Sequence, residues 1–173
     1  MADLHKTWGH RWLTPKAKPA KSKIHGLGVI AVKPIRKGDI VSVHGGIIVP
    51  KSEINKYRKK CGHIGNQIDD NFFMCPANRD ELKKGGVFNH SCNPNRGFID
   101  SIITVAIREI KPGKEICADY AFFESHFEPF KCNCGSRNCR KIIRPDDWKM
   151  PAIRKKYGKY FSPYLKKKIK TMR

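Results

Sequence analysis

The apolar residues of this chain fall in short runs between turn formers, not in long helical stripes. Val29-Ile30-Ala31-Val32 reads as a strand, stopped by Pro34 and a Lys37-Gly38 turn. Ile40 to Val43 and Ile47 to Val49 predict two more strands, split by Gly45-Gly46. Ser52 to Lys60 predicts a short helix with Ser52 as its cap. Phe72-Phe73-Met74, Ile102 to Ile107 and Ile116 to Ala118 are further strand candidates. The turn Lys111-Pro112-Gly113-Lys114 closes the second of them. Many short strands, few helices and no βαβ rhythm predict a mainly β fold of several small sheets. From Asp146 the character changes. Asp146 or Asp147 can cap a helix running through Tyr157, and Ser162-Pro163 reads as the cap and first residue of a second, lysine-rich helix.

The 173 residues suit one domain with tails. No apolar run approaches the ~20 residues of a membrane span. The start, Met1-Ala2-Asp3-Leu4-His5-Lys6, lacks the apolar stretch of a signal peptide, so the expectation is a soluble, intracellular protein. The net charge of +21 is concentrated at the ends: residues 1–23 carry +5 and residues 149–173 carry +10. Such ends attract nucleic acid, ribosomes or acidic protein surfaces. Residues 1–23, with Pro15 and Pro19 among lysines, read as an extended, partly disordered arm.

Seven cysteines in a chain read as intracellular argue against a disulfide framework and make their spacing the informative feature. Cys132-Asn133-Cys134-Gly135-Ser136-Arg137-Asn138-Cys139 is Cys-x-Cys-x4-Cys, in which three thiolates can share one zinc ion. Structural zinc takes four ligands. Cys92 is favoured as the fourth over His126, Cys117, Cys61 and Cys75.

Three more segments carry candidate chemistry. Ile24-His25-Gly26-Leu27-Gly28 has two glycines that let backbone approach a ligand closely. Asn89-His90-Ser91-Cys92-Asn93-Pro94-Asn95 is a polar turn. Glu115-Ile116-Cys117-Ala118-Asp119-Tyr120 ends a strand candidate in a tyrosine. The four segments in this order resemble the SET-domain lysine methyltransferases, in particular compact prokaryotic-type SET proteins with a cysteine-containing post-SET motif. The resemblance runs from about Lys21 to about Arg144, and the tail from Asp146 to Leu165 resembles the C-terminal extension of those proteins.

The resemblance implies a division into a basic arm (1–20), a SET domain (21–126), a post-SET zinc segment (127–145) and a basic helical tail (146–173). It implies a SET-type fold with a pseudoknot that brings Asn89-His90 beside Tyr120. His25, Gly26, Leu27 and Gly28 match the loop that holds the amino-acid end of S-adenosylmethionine. Asn89 and His90 match the pair near its adenine and ribose. Tyr120 matches the catalytic tyrosine, and Cys92, Cys132, Cys134 and Cys139 match the ligands of one structural Zn²⁺. Two departures stand out. Ala118 occupies a position that is often Phe or Tyr and limits methyl number, which leaves room for two or three methyl groups unless Phe98 fills the space. His63 to Ile68 lacks the usual channel aromatic, leaving Phe72, Phe122 or Phe123 as wall candidates.

The implied activity is transfer of methyl groups from S-adenosylmethionine to a lysine of a protein: histone-like, ribosomal or otherwise associated with nucleic acid. A basic substrate would have to meet Asp69, Asp70, Asp100, Glu124 or Glu128. The reading from another class is a non-catalytic, zinc-stabilised basic module that docks on nucleic acid or ribosomes.

Overall fold

The computed structural model describes residues 9–172. Residues 1–8 of the expected arm, and Arg173, lie outside them. In chain order the elements are β1 (Arg11–Leu13), β2 (Ala17–Lys21), β3 (Leu27–Ala31), β4 (Ile40–His44), β5 (Ile47–Pro50), α1 (Ile54–Cys61), β6 (Asn66–Gln67), β7 (Phe72–Cys75) and α2 (Asp80–Gly85). They continue with β8 (Arg96–Phe98), β9 (Ile103–Ala106), β10 (Phe130–Lys131), β11 (Ile142–Ile143), α3 (Pro151–Tyr157) and α4 (Pro163–Lys170). The sheets are small: β1-β4-β9-β8, β5-β7-β6 and the pairs β2-β3 and β10-β11. The fold is mainly β, as the apolar pattern predicts.

Where the chain departs from the pattern, the cause is local. Residues 11–13 and 17–21, expected in a partly disordered arm, are paired strands. β2 runs antiparallel to β3 from Ala17 opposite Ala31 to Lys21 opposite Leu27. Ala17 is buried and Lys18 is exposed, so the lysines decorate the outside of a strand. Ser52 does not cap the first helix: it lies in a 3-10 turn, Lys51–Glu53, and α1 begins after it at Ile54 with no side-chain cap. Neither Asp146 nor Asp147 caps α3, because a 3-10 turn (Asp147–Lys149) intervenes and Pro151 opens the helix. Ser162 does cap α4, accepting from the Leu165 N–H at 3.4 Å.

Ile116 to Ala118 forms no continuous ladder, because it is shared between two partners. Ile116 N–H donates to Val29 O at 2.7 Å, and Ala118 N–H donates to Asn89 O at 3.2 Å. Around this segment the 89–96 turn is locked by Ser91 N–H to Ala118 O (2.9 Å) and Asn95 N–H to Cys117 O (3.1 Å). The parallel bridge His90–Ala118 sets His90 two residues from Tyr120 in register.

Two apolar clusters meet at Tyr120. One joins Phe98, Ala118, Phe122, Phe123 and Trp148 to Ile153, Phe161 and Leu165 of the tail. The other joins Phe127 and Ile143 to Cys92 and Cys132. Burying side chains such as Phe161 and Leu165 contributes about 1.5–3 kcal/mol each, which is why the lysine-rich tail docks at all. Among the described residues no helix is long and apolar enough to cross a membrane.

Candidate active site and cysteine cluster

The β2-β3 turn builds the first wall of the site. Ser22 N–H donates to Gly26 O at 2.9 Å, and Ser22 Oγ receives the Ile24 N–H at 2.8 Å. Gly26 has φ +48 with nothing near its missing side chain. It is therefore a conformational glycine facing open space. Gly28 is a packing glycine: a Cβ there would sit 2.3 Å from Glu115 Oε1 and 3.1 Å from Asn89 Nδ2.

Those two side chains stitch the loop to the middle of the chain. The Asn89 amide donates to His25 O and Leu27 O at 3.0 Å each, and to Glu115 Oε1 at 2.8 Å. Glu115 also accepts from Ser22 Oγ at 2.9 Å. Asn89 thus orders the backbone of residues 25–27 from behind.

His90 is buried, and burial draws its ring pKa down to about 4, so it is neutral. Tyr120 N–H donates to His90 Nδ1 at 3.2 Å, which leaves the ring proton on Nε2, 3.4 Å from Cys92 Sγ. The tautomer is fixed, and His90 joins the tyrosine to the cysteine cluster.

Tyr120 opens a 3-10 turn capped by Asp119, whose Oδ1 accepts from Ala121 N–H at 3.0 Å. Its ring is enclosed by His90, Phe123, Phe127 and Phe130, with centroids 5.3–6.4 Å away. His63 stacks nearly parallel to it, at 6.3 Å and 13°. The phenol O–H points toward Phe88 O at 3.4 Å. Burial pushes its pKa upward, so it is a neutral donor and not a base.

Two cavities meet at this ring. A cleft of about 1070 Å³ is lined by His25, Gly26, Leu27, Asn89, His90 and Tyr120, with Phe127, Phe130 and Cys132 across from them. A smaller pocket of about 50 Å³ lies on the other side, and Tyr120, His63, Ile64 and Val87 border both. Of the expected cofactor-loop residues, only Gly28 stands behind the wall.

The sequence reading missed His63. It occupies the stretch without an aromatic and supplies a flat ring beside Tyr120; a histidine preceding a strand carries no signal for that placement. Of the wall candidates, Phe123 lies beside Tyr120, Phe122 is buried against Tyr157 and Phe161, and Phe72 is exposed. Ala118 is fully buried in the same apolar cluster as Phe98 and Phe123 and lines neither cavity, so the expected spare volume is filled. Glu124 is no surface acid for a basic substrate. Its side chain is 1% exposed and pairs with Arg58 and His63. Asp70 is taken by Tyr164 and Lys168.

The sulfur atoms of Cys92, Cys132, Cys134 and Cys139 all lie within 4.8 Å of one another, with Cys92 and Cys132 at 3.9 Å. Tetrahedral Zn–S bonds of ~2.3 Å require sulfur pairs ~3.8 Å apart, so the donor set and its spacing fit one zinc ion. Backbone N–H groups of Arg140 and Lys141 donate to Cys92 Sγ (3.3 Å) and Cys139 Sγ (3.4 Å), as thiolates require. Gly135 (φ +65) turns the knuckle between Cys134 and Cys139. Cys61, Cys75, Cys117 and His126 stay outside the cluster. Arg140 then fastens the segment, with a fork onto Asp119 at 2.6 and 2.8 Å and a further bond to Asp147 at 2.9 Å.

The comparisons agree with this geometry. The family model "SET domain" matches residues 26–121, more than half of the chain. Trithorax of Drosophila virilis, a histone-lysine N-methyltransferase, is 32% identical over 136 residues, which are 71% of this chain and 3% of that protein. Histone-lysine N-methyltransferase 2D of Homo sapiens is 34% identical over 137 residues, 70% of this chain and 2% of the relative. The chain thus spans a small fraction of the relatives it matches. Among solved structures, KRYPTONITE in complex with mCHG DNA and SAH superposes with TM-score 0.55 at 23% identity, covering 75% of this chain and 29% of that one. The chain belongs to the SET-domain family.

Proposed function

We propose that this protein transfers methyl groups from S-adenosylmethionine to a lysine side chain of a protein substrate. The observation that carries the reading is the junction at Tyr120, where a large cleft and a small pocket meet at one neutral phenol. The cleft is walled by backbone at residues 25–27 and by Asn89 and His90. When bound there, S-adenosylmethionine supplies a methyl group activated by a sulfonium. The task left to the protein is alignment and exclusion of water. Asn89 holds the loop, the aromatic rings around Tyr120 keep the junction dry, and the phenol orients the amine. A target lysine must arrive neutral although its free pKa is ~10.4, and a dry junction favours that form.

Cys92, Cys132, Cys134 and Cys139 would hold one Zn²⁺, whose role is to fold residues 130–143 across the cleft. The basic helices α3 and α4 support contact with a polyanion. Their inward positions, Ile153 and Leu165, are buried, while their lysines remain outward. On this reading they bring the enzyme to a substrate bound to DNA or RNA. A non-catalytic basic module would not require the assembled junction. Two measurements test the proposal: calorimetry of S-adenosylmethionine binding, and transfer of labelled methyl into a lysate of the source cell. Binding together with labelled lysine is expected; absence of cofactor binding by zinc-loaded protein would sink the reading.

A further inference from the structure

The small pocket behind Tyr120 has a charge pattern that the methyl-transfer reading does not use. Arg11, His44 and Arg96 line it, and all three are buried, at 7%, 3% and 2% exposure. A guanidinium only donates hydrogen bonds. Both arginines nevertheless converge on His44: an Arg11 terminal nitrogen contacts Nδ1, and an Arg96 terminal nitrogen contacts Nε2. Burial and both cations drive the His44 pKa well below its ordinary value, so the ring is neutral. A neutral imidazole has one lone pair to offer. It can satisfy one arginine and must present an N–H, or nothing, to the other; its Nε2 also has Ser42 Oγ at 2.7 Å, a hydroxyl already bonded to Thr104 Oγ1 at 2.6 Å.

The remaining partners do not close the gap. Arg96 Nε donates to Thr104 Oγ1 at 2.9 Å, and its guanidinium lies 3.8 Å from the Phe88 centroid. Arg11 has less. Its Nε and Nη1 are buried with no hydrogen-bond partner. The acid nearest in effect, Glu81, is occupied by His10 at 2.5 Å and by the Ala77 N–H at 2.8 Å. The one acid lining the pocket, Glu124, is held by Arg58 and His63. No salt bridge joins Arg11 or Arg96 to a carboxylate of the described residues. A buried site rich in donors, poor in acceptors and doubly positive is costly when empty. A water there can accept hydrogen bonds but leaves both charges unanswered.

We infer that the pocket between Arg11, His44 and Arg96 is a binding site for a small monovalent anion, a carboxylate or a halide. The pocket volume of about 50 Å³ exceeds the ~10–15 Å³ that one water requires and admits a single carboxylate group. The carboxylate has two sources: a free ion such as formate, or an acidic side chain neighbouring the target lysine in the substrate.

The test uses zinc-loaded protein without cofactor, in a buffer whose ionic strength is fixed by a bulky sulfonate. Sodium formate is titrated by calorimetry. A saturable single site is expected, weakened about ten- to a hundredfold in Arg11→Gln, as for loss of a charge-assisted hydrogen bond. Crystals of the wild-type protein soaked in bromide should show an anomalous peak against Arg11, which serves if Arg11→Gln does not fold. No saturable formate binding, equal affinity in a folded Arg11→Gln, or a bromide map empty at Arg11 overturns the inference. Blocked dipeptides Lys-Glu and Lys-Gln then identify the source. Competition by Lys-Glu alone assigns the site to a substrate carboxylate, and competition by neither assigns it to a free ion. Only this last arm rests on the methyltransferase reading.

Discussion

Two segments pack into the apolar clusters that meet at Tyr120, and different physics holds each. Residues 130–143 carry a two-residue hairpin, β10-β11, and few apolar contacts beyond Phe130 and Ile143. Four clustered sulfur atoms, three of them in this segment, are placed to share one metal ion. The tail from Trp148 to Ile169 has no such cluster and is held by apolar packing, with Phe161 and Leu165 fully buried. Arg140 reaches from the first segment to Asp119 beside the tyrosine and to Asp147 at the root of the tail. One segment offers a metal ion three of its four thiols and the other rests on a dry core, and the apolar clusters of both reach Tyr120.

The largest effect should come from removing the metal. Structural zinc sites of this kind contribute about 10–16 kcal/mol of binding energy. A chelator, or Cys132→Ser, should abolish hydrogen-exchange protection over residues 130–143 and weaken cofactor binding, while α3 and α4 keep their protection. Simultaneous loss in both segments would show that they are one unit. Phe161→Ala should do the reverse. It should cost about 3–5 kcal/mol in urea unfolding and leave zinc stoichiometry, read by elemental analysis, unchanged.

Smaller effects act at the ring itself. Tyr120→Phe should retain fold, zinc and cofactor binding yet lower methyl transfer by about 10²–10³, the loss of a positioned polar group in a dry site. Single-turnover rates check this, and a wild-type rate would assign the orienting role elsewhere. Asn89→Ala should raise the cofactor dissociation constant about tenfold, near 1.4 kcal/mol, by freeing His25 O and Leu27 O. Phe98→Leu should have the mildest effect, a shift in product toward more methyl groups. Phe98 packs in the cluster that encloses Ala118, so trimming it restores the space that the alanine alone does not open. Mass spectrometry of a labelled peptide reads the distribution.

The sequence made some of this visible and hid the rest. The cysteine quartet was legible because metal ligands are fixed by residue type and spacing. The cleft lined by His25, Gly26, Leu27, Asn89 and His90 was foreshadowed because those motifs stand in a family order. His63 was not: its role comes from a ring orientation that α1 and β6 impose, and nothing in Gly62-His63-Ile64 encodes a stacking partner. β1 and β2 were hidden because lysine and proline composition outweighed a weak alternation that pairing with β3 and β4 makes decisive. The buried pair Arg11 and Arg96 was equally invisible, since an arginine in a strand is ordinarily read as surface.

The Asn89 amide also sets a timetable. It joins residues 64 positions apart at His25 and 26 apart at Glu115, and the sulfur contact of Cys92 with Cys132 spans 40 more. Contacts of such separation close late, because the chain loses loop entropy before it gains the bond. A growing polypeptide that has not yet released Glu115 has a glycine hairpin with no anchor. One that has not released Cys139 has a cleft with no roof. On the proposed reading, the cofactor site is complete only once Cys139 has left the ribosome.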